Sequence, residues 1–152
     1  MGTYSFLNVQ ANIVGPGLTA QIGSASGAAK DGLSTAFEED KVGVTTGADG
    51  SIMTSLHASM TGRITVRLLK TSPINAVLNA AFNFQRASSA NTGQNTIRVV
   101  DKVRGDVVTG RQMAFVKHPD NVWSEEGNVL EWNFIGILNE VLGVGIPDVT
   151  QP

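Results

Sequence analysis

The chain has 152 residues, 41% of them hydrophobic, with 11 basic and 13 acidic groups and a formal charge of −2. That is enough to bury a core as one domain, and the absence of cysteine excludes disulfides, thiolate metal sites and a cysteine nucleophile and points to folding in a cytoplasm. No stretch approaches the roughly 18–20 continuous apolar residues of a membrane span, and the first residues lack the basic region and apolar run of a secretory signal.

Residues 5–13 alternate, with Leu7, Val9, Ala11 and Ile13 on one face and Asn8, Gln10 and Asn12 on the other, the pattern of a half-buried strand. Gly15-Pro16-Gly17 turns the chain, and residues 18–22 return as a hairpin partner. Residues 23–30 are small and polar and read as a loop; residues 33–37 read as a short strand. Across residues 38–60 the pattern weakens. Turn chemistry at Gly47-Ala48-Asp49-Gly50 separates Val42 and Val44 from Ile52 and Met53, which predicts a long hairpin arm with few core residues.

Residues 63–69 alternate again, Ile64, Val66 and Leu68 against Arg63, Thr65 and Arg67. A helix over about residues 73–85 follows. Ser72 can cap it, Pro73 suits its first position, and Ile74, Val77, Leu78, Ala81 and Phe82 form one apolar stripe. Arg86 complements the negative end of the helix dipole. After a polar loop at 87–95 come a short strand at 96–100 and longer ones at 107–116 and 129–138. In the last of these Trp132 and Phe134 share a face opposite Glu131 and Asn133. Residues 118–121 and 125–128 read as turns, and residues 143–152 as an extended tail. Seven or eight strands and one helix predict a mainly β (α+β) chain, a single domain over 1–152 built as a β-sandwich or barrel with one flanking helix and an extended arm.

Charge is unevenly distributed. Residues 1–60 carry 2 basic and 5 acidic groups, residues 61–118 carry 9 and 2, and residues 119–152 carry 0 and 6. A basic centre between acidic ends fits nucleic-acid contact, opposite charges meeting across a repeated subunit interface, or a surface that simply mixes on folding. Arg63, Arg67, Lys70, Arg98, Lys102, Arg104 and Arg111 favour nucleic acid, but no aromatic residues interleave with them as a stacking platform requires.

Chemical motifs are sparse. The two histidines, His57 and His118, have no nucleophile or metal-ligand spacing around them, so the residues support neither an active site nor a metal or cofactor site. Gly15-Pro16-Gly17-Leu18-Thr19-Ala20 fits the relaxed dinucleotide pattern, yet the β-like residues that follow deny it the helix N-terminus that the chemistry needs. The acidic runs Glu38-Glu39-Asp40 and Glu125-Glu126 point to alternate sides of extended chain and read as solvated.

Several strings resemble a family of small phage tail proteins. They are Tyr4-Ser5-Phe6-Leu7-Asn8-Val9-Gln10-Ala11 with Gly15-Pro16-Gly17, and Gly47-Ala48-Asp49-Gly50 with Ser55-Leu56-His57-Ala58. The fullest is Thr65-Val66-Arg67-Leu68-Leu69-Lys70-Thr71-Ser72-Pro73-Ile74-Asn75-Ala76. Gln94-Asn95-Thr96-Ile97, Arg104-Gly105-Asp106-Val107-Val108 and Leu142-Gly143-Val144-Gly145 extend the likeness over nearly the whole chain.

The family is that of the tail tube proteins of contractile-tailed bacteriophages. The resemblance implies a non-enzymatic virion subunit, assembled in the host cytoplasm, that forms hexameric rings. The rings stack into a hollow tube inside a sheath, and DNA passes through the lumen without specific binding. Implied partners are the chain itself, the tail sheath protein, and baseplate and tail terminator proteins. The competing readings are a secretion-system tube, a baseplate component, or a monomeric β-sandwich that binds a ligand. On the tube reading, Val44, Thr46, Asp49, Ser51, Met53 and His57 are expected on a ring-stacking arm. Glu38, Glu39, Asp40 and Glu131 are expected to face the lumen, where acidic groups repel phosphate.

Overall fold

The computed structural model describes residues 9–23 and 28–143. In chain order these form β1 (Val9–Gly15), β2 (Leu18–Gly23), β3 (Ala28–Phe37), β4 (Val42–Thr46), β5 (Ile52–Leu56), β6 (Thr61–Leu69), α1 (Ile74–Arg86), β7 (Asn95–Asp101), β8 (Asp106–Phe115) and β9 (Val129–Val141). Seven strands make one antiparallel sheet in the order β2-β1-β7-β8-β9-β6-β3, and among the described residues β4 and β5 pair only with each other. The mainly β architecture with one helix and a hairpin arm therefore stands as the sequence predicts.

Strand alternation selects the inner face. Ala11 and Ile13 on β1, Ile64, Val66 and Leu68 on β6, Ile97 on β7, and Trp132, Phe134 and Leu138 on β9 all enter one buried cluster. Both halves of the sheet contribute to that cluster, so the sheet curls round it, and α1 crosses one end to complete the enclosure. The helix ties to both sides of this end. Asn75 Nδ2 donates to Leu69 O at 2.8 Å, and Trp132 Nε1 donates to Asn75 Oδ1 at 3.1 Å. At the other terminus of α1, Gln85 Nε2 donates to Pro16 O at 3.1 Å, in the β1–β2 turn.

The helix begins at Ile74, one residue later than predicted, with Pro73 already at helical angles and Ser72 Oγ accepting the Ile74 N–H at 3.4 Å. Its buried face is rotated from the predicted stripe. Leu78, Ala81, Phe82 and Gln85 are buried, whereas Val77 is 40% exposed. Gln85 belongs inside because Asn95, itself fully buried, receives it. Gln85 Nε2 donates to Asn95 Oδ1, and Asn95 Nδ2 donates to Gln85 Oε1, both at 2.7 Å. Asn95 Nδ2 also donates to Met113 O at 3.0 Å.

The Gly15-Pro16-Gly17 segment is a hairpin turn built around this amide pair. A Cβ on Gly15 would lie 2.0 Å from Asn95 Oδ1, and Gly17 takes a left-handed φ of +68° with its α-carbon facing the Phe84 ring. No helix starts here, so the nucleotide-binding resemblance of the glycines has no structural counterpart.

The third strand also departs from the sequence reading. The strand read at 33–37 begins at Ala28, so residues 28–30 are strand and not loop; residues 24–27 lie outside the described residues. A register shift against β6 falls between Ala28 and Leu33, which breaks the alternation that sequence parity relies on. The predicted strand residues 5–8 and nearly all of the predicted tail also lie outside the described residues.

Two substitutions test the amide pair. Asn95→Leu strands the Gln85 amide in the core and should lower unfolding stability by about 3 kcal/mol. Gly15→Ala, by overpacking the same site, should lower it by about 2 kcal/mol. Urea denaturation measures both, and losses below about 0.5 kcal/mol would contradict the assigned role.

Candidate functional site: the arm and the outer sheet face

The described residues contain no group of three His, Cys, Asp or Glu placed to hold a metal ion, and no helix long and apolar enough to cross a membrane. The two histidines sit at opposite ends of the sheet. The His118 ring packs on Phe82 with centroids 4.2 Å apart, beside an open cavity of about 390 Å³ lined by Asn75, Asn79, Asn121 and Trp132. Its nearest acidic neighbour in sequence, Asp120, pairs instead with Lys117 at 3.9 Å. His57 lies at the root of the arm.

The arm is a narrow ribbon. Its register, Val42 with Leu56, Val44 with Thr54 and Thr46 with Ile52, places Val42, Val44, Ile52 and Leu56 on one side with two threonines. The opposite side carries Gly43, Thr45, Met53 and Ser55. None of the strand side chains is covered: Leu56 is 83% and Ile52 67% exposed. Of the predicted arm residues, Val44 and Thr46 are on the apolar side and Met53 on the other. Asp49 and Ser51 form the tip, and His57 sits at the base. Val42, Ile52 and Leu56 complete the apolar side, and the sequence signal for them is two-residue periodicity counted outward from the Gly47–Gly50 turn.

Hydrogen bonds set the arm at both ends. At the tip Gly47 N–H donates to Ser51 O at 2.7 Å. Asp49 Oδ1 accepts from Ser51 Oγ at 2.6 Å and Ser51 N at 3.0 Å. The Ser51 hydroxyl, and then its N–H, hold the Asp49 carboxyl below its ordinary pKa, so the tip keeps its negative charge. At the base His57 N–H donates to Lys41 O at 2.8 Å, and His57 Nδ1 lies 3.1 Å from Asp40 O. Lys41 Nζ donates to Ser59 O and lies 4.1 Å from the Phe37 ring centroid. These contacts fix where the arm leaves the body without covering its apolar side.

The sheet's outer face gathers the arginines that the basic middle block supplies. Arg63 and Arg67 on β6, Arg98 on β7 and Arg111 on β8 alternate with core residues and so point outward. Two are neutralised locally. Arg63 Nε donates to Glu38 Oε1 at 2.9 Å, and Arg67 Nε lies 3.8 Å from Glu131 Oε2. The remaining predicted acids, Glu39 and Asp40, are exposed at the arm's root. Lys70 and Arg104 leave this face: Lys70 turns to Trp123, and Arg104 pairs with Asp106 at 3.7 Å beside the β7–β8 turn. Gln112 has a φ of 53° in β8, where a register shift leaves Arg111 and Gln112 both exposed between the buried Gly110 and Met113.

Comparison with known proteins identifies one family. The model for the bacteriophage PhiTE tail tube protein matches residues 1–143. No curated protein matches the chain. Among solved structures, the cap of the anti-feeding prophage, its tube-terminating cap, is similar with 11% sequence identity over 88% of each chain and a TM-score of 0.49. With a family model covering all but the last nine residues, the chain belongs to the bacteriophage PhiTE tail tube protein family and is a structural component of a phage tail.

Proposed function

We propose that this chain is a non-enzymatic subunit that forms hexameric rings, which stack into a hollow tube inside a contractile sheath and conduct DNA from capsid to host. The observation that carries this reading is the β4–β5 arm, a ribbon with an uncovered aliphatic side and a clamped base. Exposed apolar surface of this kind marks an interaction site. β2 and β3 are the terminal strands of the sheet, and strand ends of this kind invite pairing with another copy. Joined round a ring, they give the lumen a continuous β wall, and closure removes the open edges. The tube meets the sheath on its outside, and baseplate and terminator proteins at its ends.

In this reading the arm, with Val44, Thr46, Asp49, Ser51, Met53 and His57, reaches the next ring. The outer sheet face lines the bore with Glu38, Glu39, Asp40 and Glu131. Glu38 and Glu131 then act by pairing Arg63 and Arg67, so that two of the four guanidinium groups on this face are already occupied when phosphates pass, and the face's hold on DNA is weakened.

Deleting residues 44–54 should leave the body folded, with near-unchanged thermal unfolding, and abolish long tubes in negative-stain microscopy. Tubes of ordinary length from that variant reject the arm's role. Glu38→Gln combined with Glu131→Gln frees two arginines per subunit. Assembled tubes of the double variant should then retain DNA at least tenfold more strongly at low salt, with the gain vanishing at high salt. Equal retention by parent and variant rejects the placement of this face in the bore.

A further inference from the structure

We infer that the exposed cluster around Lys70, made by Leu69, Val122, Trp123 and Val129, is the seat that receives the β4–β5 arm of a second copy of this chain. The inference rests on the proposed stacking role of the arm and names the surface that this role requires. Lys70 holds the cluster together: its Nζ donates to Val122 O at 2.7 Å and lies 4.2 Å from the Trp123 ring centroid. Trp123 is thereby oriented although it is 83% exposed. Leu69 and Val129 face each other across β6 and β9, and both are exposed.

Geometry makes the second copy the fitting occupant. The arm enters β6 at Thr61, and the cluster lies at the other end of β6, beyond Leu69. Nine strand residues separate the two by roughly 27 Å at about 3.3 Å per residue. The arm's contacts at its root, through Lys41 and His57, hold it at the far end from its own seat. Translating one copy along the strand direction places its arm against the cluster of the next. This join uses two different surfaces related by a translation along the strands, so it repeats without closing on itself, which is how a stack grows.

Charge fits the same pairing. Between Val42 and Leu56 the arm's single charge is Asp49 at its tip, and the seat's central cation is Lys70. Glu125 and Glu126 follow Trp123 in the chain by two and three residues and disfavour the acidic segment 38–40, leaving the nearly uncharged ribbon as the part of the arm that docks.

Because the chain contains no cysteine, the pairing can be read by cross-linking. Chains carrying Thr54→Cys or Ser55→Cys are mixed with chains carrying Ser124→Cys, positions beside the apolar contacts and not in them, allowed to assemble, and treated with a short bismaleimide. All three positions are exposed, so folding is undisturbed. The expected product is a heterodimer at least tenfold more abundant than the dimer from either variant alone, and a ladder from the double variant. Tubes that form normally but give no such heterodimer overturn the seat, while loss of tubes on deleting residues 44–54 shows that the arm's role survives. Tubes that persist without the arm overturn both, as does a chain that neither assembles nor cross-links.

Discussion

The fold depends on a reciprocal pair of buried amides. Gln85 and Asn95 exchange two hydrogen bonds of 2.7 Å, and each spends its remaining N–H on a backbone carbonyl, Pro16 O for one and Met113 O for the other. Every donor of the pair is used inside a site that water does not reach. A buried amide left unpaired costs more than an ordinary hydrogen bond returns. The pair therefore admits one arrangement of four elements: the end of α1, the β1–β2 turn, the start of β7 and the irregular part of β8. With α1 locked across one end of the curled sheet, Leu78, Ala81 and Phe82 enter the core. The opposite face of every strand is then committed to the outside, and the arginine face and the projecting arm are consequences of that choice.

How much of this was legible follows from where local pattern and tertiary packing agree. Leu18, Ile22, Ile64, Val66, Leu68, Trp132 and Phe134 alternate with polar residues, and the structure buries them all. The turn at Gly47–Gly50 marked the arm because its residue types favour a tight reversal. Gln85 was not legible as a core residue: its polarity places it outside by any hydropathy rule, and only Asn95, ten residues away, makes its burial favourable. The same partner explains Gly15, whose role is to leave room for a side chain that the sequence does not reveal as its neighbour. The early start of β3 was hidden by the register shift before Leu33, where alternation fails.

The candidate surfaces were half legible. Sequence blocks of charge identified the arginines but not their grouping, because grouping depends on strand order. β7, β8, β9 and β6 are consecutive in the sheet although α1 and its loops separate β6 from β7 in the chain. Strand parity then puts Arg98, Arg111, Arg63 and Arg67 on one side, while Lys70 and Arg104, just beyond strand ends, turn elsewhere. The acids Glu38 and Glu131 were identifiable as outward-facing. Their pairing with Arg63 and Arg67 was not, since it rests on the registers of β3 and β9 against β6.

An aliphatic ribbon in water is a liability that a monomer has no reason to keep. Two-stranded hairpins are marginally stable alone, and this one gains nothing from the core. Its root is nevertheless held by Lys41, His57 and the Phe37 ring, so the chain spends hydrogen bonds on directing a surface that it leaves bare. Covering Val42, Val44, Ile52 and Leu56 yields on the order of 5 kcal/mol gross for one arm, less the entropy of bringing two molecules together. A single arm is therefore too weak to join free subunits. In the proposed ring six arms dock at once and the first contact raises the effective concentration of the rest, so stacking becomes strong only after a ring has closed. In that proposed assembly the modest size of the apolar side sets the order, with rings forming before tubes, and a longer or more hydrophobic arm would erase that order by linking subunits prematurely.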